Sequence, residues 1–177
     1  KQPRLQVIFA DTNLYKNPCD FWQDIKTTGG IANEGDVNYS NGKKPLKLIN
    51  RIVKMTTTDH DLILDFFSGS ATTAHSVMEM NKEEKSERKF IMVQIDEDLD
   101  ESLKKATGNN KDTIEEAIDF LDSIGKPHLL TELGKERIRR AGKKIKEESP
   151  LTTQDLDTGF RVLKLDSTNM QDIYYSP

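Results

Sequence analysis

The sequence has few of the residues that build disulfides, membrane spans or large cores. Cys19 is the single cysteine in 177 residues, which excludes a disulfide framework and a metal site made of several thiolates. No apolar run approaches the roughly 20 residues that cross a bilayer, and no signal-peptide pattern is present. Hydrophobic residues make up 34% of the chain, enough for one modest core. We therefore expect a cytoplasmic protein that does not enter a membrane.

Net charge and histidine content bear on two further kinds of site, for nucleic acid and for metal ions. The 26 basic and 30 acidic residues give a formal charge of −4. That balance argues against a protein that binds nucleic acid over its whole surface, but it allows a local basic face. The three histidines (His60, His75 and His128) stand apart from other ligand-type side chains, so no metal site is expected.

Apolar periodicity divides the chain into three regions: an extended N-terminal part at 1–42, a core at 43–110 and a C-terminal extension at 111–177. The first region holds a strand candidate at 5–9 and then a loop rich in Asn, Asp, Gly and Thr. For the extension the pattern predicts a helix over about 112–124, a long basic helix over about 131–148 and a strand at 160–165.

The core region predicts a strand–helix–strand unit. A helix over about 45–55 begins near Pro45, whose missing N–H is tolerated in a first helical turn. Two mostly apolar runs, 62–67 and 90–95, are typical of buried parallel strands, and a helix at about 72–81 lies between them. The order predicts an α/β fold with a mainly parallel sheet and a right-handed crossover.

The segment 65–73 carries the strongest functional signal. A strand that ends in an acid and turns through Ser68, Gly69 and Ser70 into a helix exposes backbone N–H groups at the carboxyl edge of the sheet, where ligands of open sheets bind. The segment lacks the third glycine of a dinucleotide site and the Gly-Lys-Ser/Thr of a triphosphate loop. An acid beside a small turn suits a nucleoside joined to an amino acid, such as S-adenosylmethionine. A turn kept small for packing explains the same residues.

The segment closely resembles motif I of the β-class amino-methyltransferases, D-x-F-x-G-S-G-T-T. The match is specific at six positions, which are Asp65, Phe67, Gly69, Ser70, Thr72 and Thr73. Ala71 stands where the family usually has its second glycine, and its methyl group would press on a close ligand. The resemblance implies a partial Rossmann-like methyltransferase fold that binds S-adenosylmethionine along 65–73.

Two further elements extend the resemblance. Gln94 and Asp96 end the second strand, where the family binds the cofactor's ribose, and a glutamine amide still bonds hydroxyls. Upstream, Lys44 and Pro45 resemble motif X, which implies that the Lys44 ammonium reaches the cofactor's carboxylate. The stretch 22–25, Trp-Gln-Asp-Ile, resembles the Trp-x-Asp-Ile element that precedes motif X.

The stretches 132–140 and 157–167 resemble the modification subunit of type III restriction systems. This resemblance implies a site-specific adenine-N6 DNA methyltransferase that acts on duplex DNA, forms a homodimer and associates with a restriction subunit. The basic helix would lie along the phosphate backbone through Arg137, Arg139, Arg140, Lys143 and Lys144. The acids among these cations also fit an ordinary solvated helix face.

The family's catalytic motif, Asp-Pro-Pro-Tyr, does not occur in the sequence. In the family it precedes motif X, so we expect it before Lys1 and interpret the chain as a piece of a longer protein, without catalytic residues of its own. Two alternatives remain open. One is a methyltransferase acting on RNA or a cytosine amino group, and the other is a module for interaction or dimerisation that no longer binds cofactor.

Overall fold

The computed structural model describes residues 19–26, 31, 34–37, 39 and 42–166. After a short 3-10 turn at Glu34–Asp36, the elements are α1 (Leu46–Thr56), β1 (Leu62–Asp65), α2 (Thr72–Glu84), β2 (Lys89–Met92), α3 (Leu99–Lys105), α4 (Asn109–Ser123) and α5 (Leu130–Glu148). In this part of the chain no helix combines the length and apolarity that crossing a membrane requires.

Strands β1 and β2 pair in parallel, with Leu62 opposite Lys89 and Asp65 opposite Met92. Helix α2 connects them, which confirms the predicted strand–helix–strand unit and the α/β class. Both strands end earlier than predicted. Ladder-like bonds nevertheless continue past their ends, since Val93 N donates to Asp65 O (2.8 Å) and Ser68 N donates to Val93 O (3.1 Å).

The two faces of this sheet differ. On one face Phe90 and Met92 pack against an apolar cluster that belongs to the turn before α2, to α2 and to α5, made of Ala71, Ala74, Met78, Ile138, Ala141 and Ile145. On the other face Leu62, Leu64 and Ile91 are exposed by 60%, 57% and 47%. Parallel sheets are normally covered on both faces, and the described residues supply one covering layer.

Helix α5 joins two cores. Its Leu133 lies in a second cluster with Leu99 of α3, Leu121 of α4 and the loop residues Val37 and Tyr39. Its Ile138 and Ile145 lie in the cluster against α2. The helix therefore anchors the C-terminal part of the chain to the strand–helix–strand unit.

The predicted helices of the core and the extension are present, with ends that shift by a few residues. The strand predicted at 160–165 is wrong. That segment is not a strand, and Leu163 and Leu165 are almost fully exposed, because no strand of the described chain lies beside it to accept the pairing. Helix α3 was not predicted, although Asp98 marks its start by accepting from two backbone N–H groups of its first turn. The strand predicted at 5–9 lies outside the described residues.

Candidate functional site

The chain leaves β1 and enters α2 through a turn that requires positive φ angles. Gly69 has φ +50°, and a Cβ placed on it would meet no atom within 4 Å. Ala71 also adopts the left-handed conformation, with φ 60°, at a strain of roughly 1–2 kcal/mol. The turn thus leaves open space beside the backbone of Gly69, at the edge where both strands end.

Asp65 holds the turn together. Its Oδ2 accepts from the Thr73 hydroxyl at 2.6 Å, and its Oδ1 accepts from the backbone N of Phe67 at 3.2 Å. The acid predicted to face a ligand therefore also ties the end of β1 to the first turn of α2. Thr73 is the partner of that carboxylate.

The predicted ribose position meets the turn directly. Gln94 Oε1 accepts from the backbone N of Gly69 at 2.8 Å, while its Nε2 donates to Ile95 O at 3.3 Å. The structure thus brings together two elements that are 25 residues apart. Asp96 lies farther along, where its Oδ1 accepts from the hydroxyl of Thr131 in the first turn of α5.

Half of the turn is covered by α5 and half is open. Ser70, Ala71 and Thr72 are buried, whereas Ser68 and Gly69 are partly exposed and Phe67 is 83% exposed. A Cβ on Gly134 of α5 would lie 3.1 Å from Gly69 O and 3.6 Å from the Ala71 methyl. The Ala71 methyl therefore points toward α5. From the sequence we expect this methyl to press on a bound ligand, but it does not face the open side of the turn.

Two cavities of the described chain lie elsewhere. One of about 210 Å³ is lined by Glu34, His75 and Glu79 among others, and one of about 540 Å³ follows the outer face of α5. Neither has Asp65, Gly69 or Gln94 in its lining. Because Ser68 and Gly69 are partly exposed and Phe67 is exposed, the candidate site is an open sheet edge.

Lys44, which the sequence predicts to reach the cofactor's carboxylate, lies next to a second lysine, Lys43, that enters the interior. Lys44 is exposed, whereas Lys43 is buried and its Nζ donates to Val37 O at 3.0 Å. Burial, together with the nearby Arg137 guanidinium, lowers the pKa of Lys43 to about 7. Pro45 is buried as well and directly precedes the first residue of α1.

Arg137 is the residue that sequence reasoning misplaced. It was assigned to the exposed basic face, but it is fully buried, because it lies on the apolar side of α5 between Leu133 and Ile138. Its Nη1 donates to Ser70 Oγ at 3.1 Å and to Thr72 Oγ1 at 2.7 Å. Burial lowers its pKa to about 10. In the sequence, the position of Arg137 among the apolar residues of the helix indicates this burial.

The other predicted basic residues do lie toward the surface. Arg139, Arg140, Lys143 and Lys144 line the cavity of about 540 Å³ together with Asp36, Glu136 and Glu147. Acids partner three of the four: Glu136 binds Arg140 at 2.9 Å and Arg139 at 3.4 Å, and Glu147 lies 3.7 Å from Lys143. The groove is mixed in charge.

The Trp-x-Asp-Ile element docks on α1. Asp24 receives two bonds from the Arg51 guanidinium, at 3.0 and 2.6 Å, and lies 2.8 Å from Lys47 Nζ. The same guanidinium lies over the Trp22 ring, 5.0 Å from its centroid. These two cations hold the pKa of Asp24 well below its ordinary range. Sequence reasoning missed Arg51, whose role depends on this tertiary contact.

Histidines and acids of the described residues form no cluster fit for a metal ion. His75 is buried with its Nε2 3.3 Å from Glu79. His128 is held between two carboxylates, with Nδ1 2.9 Å from Asp100 and Nε2 2.9 Å from Asp122. The His75 contact lies within α2, whereas the two His128 contacts connect α3 with the end of α4.

Comparison with known proteins gives a consistent result. The profile of a family described as DNA methylase matches residues 6–105. The chain is 29% identical over 174 residues to the type III restriction-modification enzyme StyLTI Mod subunit of Salmonella typhimurium, covering 95% of this chain and 24% of that protein. The EcoP15I Mod subunit of Escherichia coli is 30% identical over 122 residues (69% and 15%), and the EcoPI Mod subunit of Escherichia phage P1 is 46% identical over 56 residues (32% and 9%).

These similarities confirm the resemblance drawn from the motifs. The chain spans about a quarter or less of the length of these relatives.

Proposed function

The chain belongs to the DNA methylase family, and from that premise we propose that it forms the S-adenosylmethionine-binding part of an adenine-N6 DNA methyltransferase of a type III restriction-modification system. In that system it would act on duplex DNA with a restriction subunit, and as a dimer of modification subunits. The observation that carries the proposal is the bond between Gln94 Oε1 and Gly69 N, which joins the two strand ends at one edge.

The residues present fit this cofactor. The open space beside Gly69 lets a ligand approach the backbone, which a side chain there would prevent. Gln94 Nε2 and the exposed end of β2 offer hydrogen bonds to ribose hydroxyls. The half-buried Asp65 carboxylate supplies negative charge for the cofactor's cationic groups. When bound, the cofactor supplies an activated methyl group, and the chain's own residues bind and orient it.

The DNA contacts belong to a different surface. Arg139, Arg140, Lys143 and Lys144 lie along one groove of α5, where cations release counterions on meeting phosphates. Because Glu136 and Glu147 partner three of them, we expect this groove to contribute weakly to DNA affinity. Catalytic residues of the Asp-Pro-Pro-Tyr type are absent from the sequence, so no chemical step is assigned to this chain.

A second candidate function has two observations in its favour. Gly69 N is already bonded to Gln94, and the apolar face of Leu62, Leu64 and Ile91 is open. An interaction module without cofactor would keep both features.

Calorimetric titration of the chain with S-adenosylmethionine separates the two candidates. We expect saturable binding to the wild type, lost or weakened at least tenfold in Gly69→Ala, because the new methyl enters the approach path. Gly125→Ala is the matched control, since Gly125 also has positive φ and open surroundings but lies in a remote turn. Absence of heat with folded wild type at millimolar ligand would favour the interaction module.

A further inference from the structure

Arg137 is a buried cation whose hydrogen bonds are incomplete. The residue has no exposed surface, and its Nε and Nη2 have no hydrogen-bond partner among the described residues. Buried charges are normally paired, because removing them from water is costly. The hydrogen bonds that Arg137 does make are both donated from Nη1, to Ser70 and Thr72 of the turn.

These two bonds determine whether the hydroxyls of Ser70 and Thr72 act as hydrogen-bond donors or acceptors toward a ligand. Each hydroxyl has one proton and accepts through its oxygen, so accepting from Arg137 leaves the proton for another acceptor. In the described part of the chain neither proton has such an acceptor. Ser70 and Thr72 are therefore set as donors in the covered half of the turn, next to the partly exposed Gly69.

The start of α2 also favours a negatively charged ligand group. Ala71 is its N-cap and supplies no side-chain bond to the first N–H groups, which carry the positive end of a 13-residue helix. The Arg137 guanidinium lies close enough to Lys43 to lower the pKa of that lysine, while Glu34 and Glu79 act to raise the pKa of Arg137 itself. Uncapped donors, two oriented hydroxyls and a cation behind them all favour an anion at this point.

We propose that Arg137 is a positioning residue for an anionic ligand group, the carboxylate of S-adenosylmethionine, and that it acts by orienting the hydroxyls of Ser70 and Thr72. The inference rests on the proposed cofactor function and deepens it. It assigns to a helix of the C-terminal extension a part in cofactor recognition, through residues that are 65 and 67 positions away in sequence.

The test compares two ligands that differ only in the carboxylate, S-adenosylmethionine and its decarboxylated form, by calorimetry on the whole chain. We expect the wild type to prefer the carboxylated ligand by roughly 10–100-fold, the range of a charged hydrogen bond. Arg137→Met should abolish this preference while leaving affinity for the decarboxylated ligand nearly unchanged. Arg137→Lys should restore part of it, and Lys146→Met, an exposed change on the same helix, should leave it intact.

Other outcomes overturn the inference in distinguishable ways. Equal weakening of both ligands by Arg137→Met would assign the residue a purely structural role, and an unchanged preference would remove it from recognition. If circular dichroism shows that Arg137→Met does not fold, Thr72→Val takes its place, and a retained preference in that variant overturns the proposal. Failure of the folded wild type to bind either ligand would instead refute the cofactor function itself.

Discussion

Gly134 of α5 lies against Ala71 of the turn, with only 3.6 Å between the Ala71 methyl and the position a Cβ on Gly134 would take. The same Cβ would lie 3.1 Å from the Gly69 carbonyl oxygen. The alanine at this position of the turn is thus matched by a glycine on the opposing helix. The pairing lets α5 cover one side of the turn while the other side stays open.

A side chain at Gly134 should separate the helix from the turn. We expect Gly134→Val to lower the free energy of unfolding by about 1–3 kcal/mol, because the isopropyl group overpacks the contact. Urea denaturation followed by circular dichroism measures this. Lys143→Val places the same β-branched residue on an exposed part of the same helix, and an equal loss in both variants would contradict the packing argument.

Removing the methyl at residue 71 should not improve cofactor binding. Since the Ala71 side chain is buried against α5, we expect Ala71→Gly to change the affinity for S-adenosylmethionine by less than about twofold, under 0.5 kcal/mol. Calorimetry on both proteins provides the comparison. A large gain in affinity in Ala71→Gly would show that the methyl does obstruct the ligand, as the sequence alone predicts.

The docking of the Trp22 segment should respond to acid. Arg51 and Lys47 depress the pKa of Asp24, so the docked form is stabilised above the ordinary carboxyl pKa of 3.8 and that stabilisation is lost as pH falls through the lower, docked-state pKa. Trp22 is the single tryptophan, so its fluorescence reports on the contact. Asp24→Asn should show the undocked emission already at neutral pH. Asp20→Asn, an exposed neighbour, should keep the wild-type spectrum.

His128 should give the protein a stability that decreases with rising pH. Asp122 and Asp100 raise its pKa above 6.5, so the folded state holds a proton that the unfolded state releases. The contribution is complete below pH 6.5 and is lost as pH rises through the folded-state pKa. Urea midpoints across this window should fall more steeply for the wild type than for His128→Gln. If His60→Gln, at an exposed histidine, flattens the slope equally, the assignment to His128 is wrong.

Local patterns in the sequence were sufficient to predict the strand, turn and helix around Gly69, because apolar runs and small residues determine them over short distances. The meeting of Gln94 with the turn followed from parallel pairing, which brings strand ends to one edge. The burial of Arg137 and of Lys43 did not follow, since both depend on how α5 and the loop around Val37 pack. The alternation at 160–165 was misleading, because period two predicts a strand only where a neighbour is available.

The most direct test of the central claim is backbone and side-chain amide NMR of the chain during titration with S-adenosylmethionine. The account predicts that the largest shifts fall on the amides of Gly69 and its turn and on the Gln94 side chain, since the ligand must share or replace the bond between them. Shifts confined to the outer face of α5, or to the exposed residues of β1, would place the ligand elsewhere and contradict it.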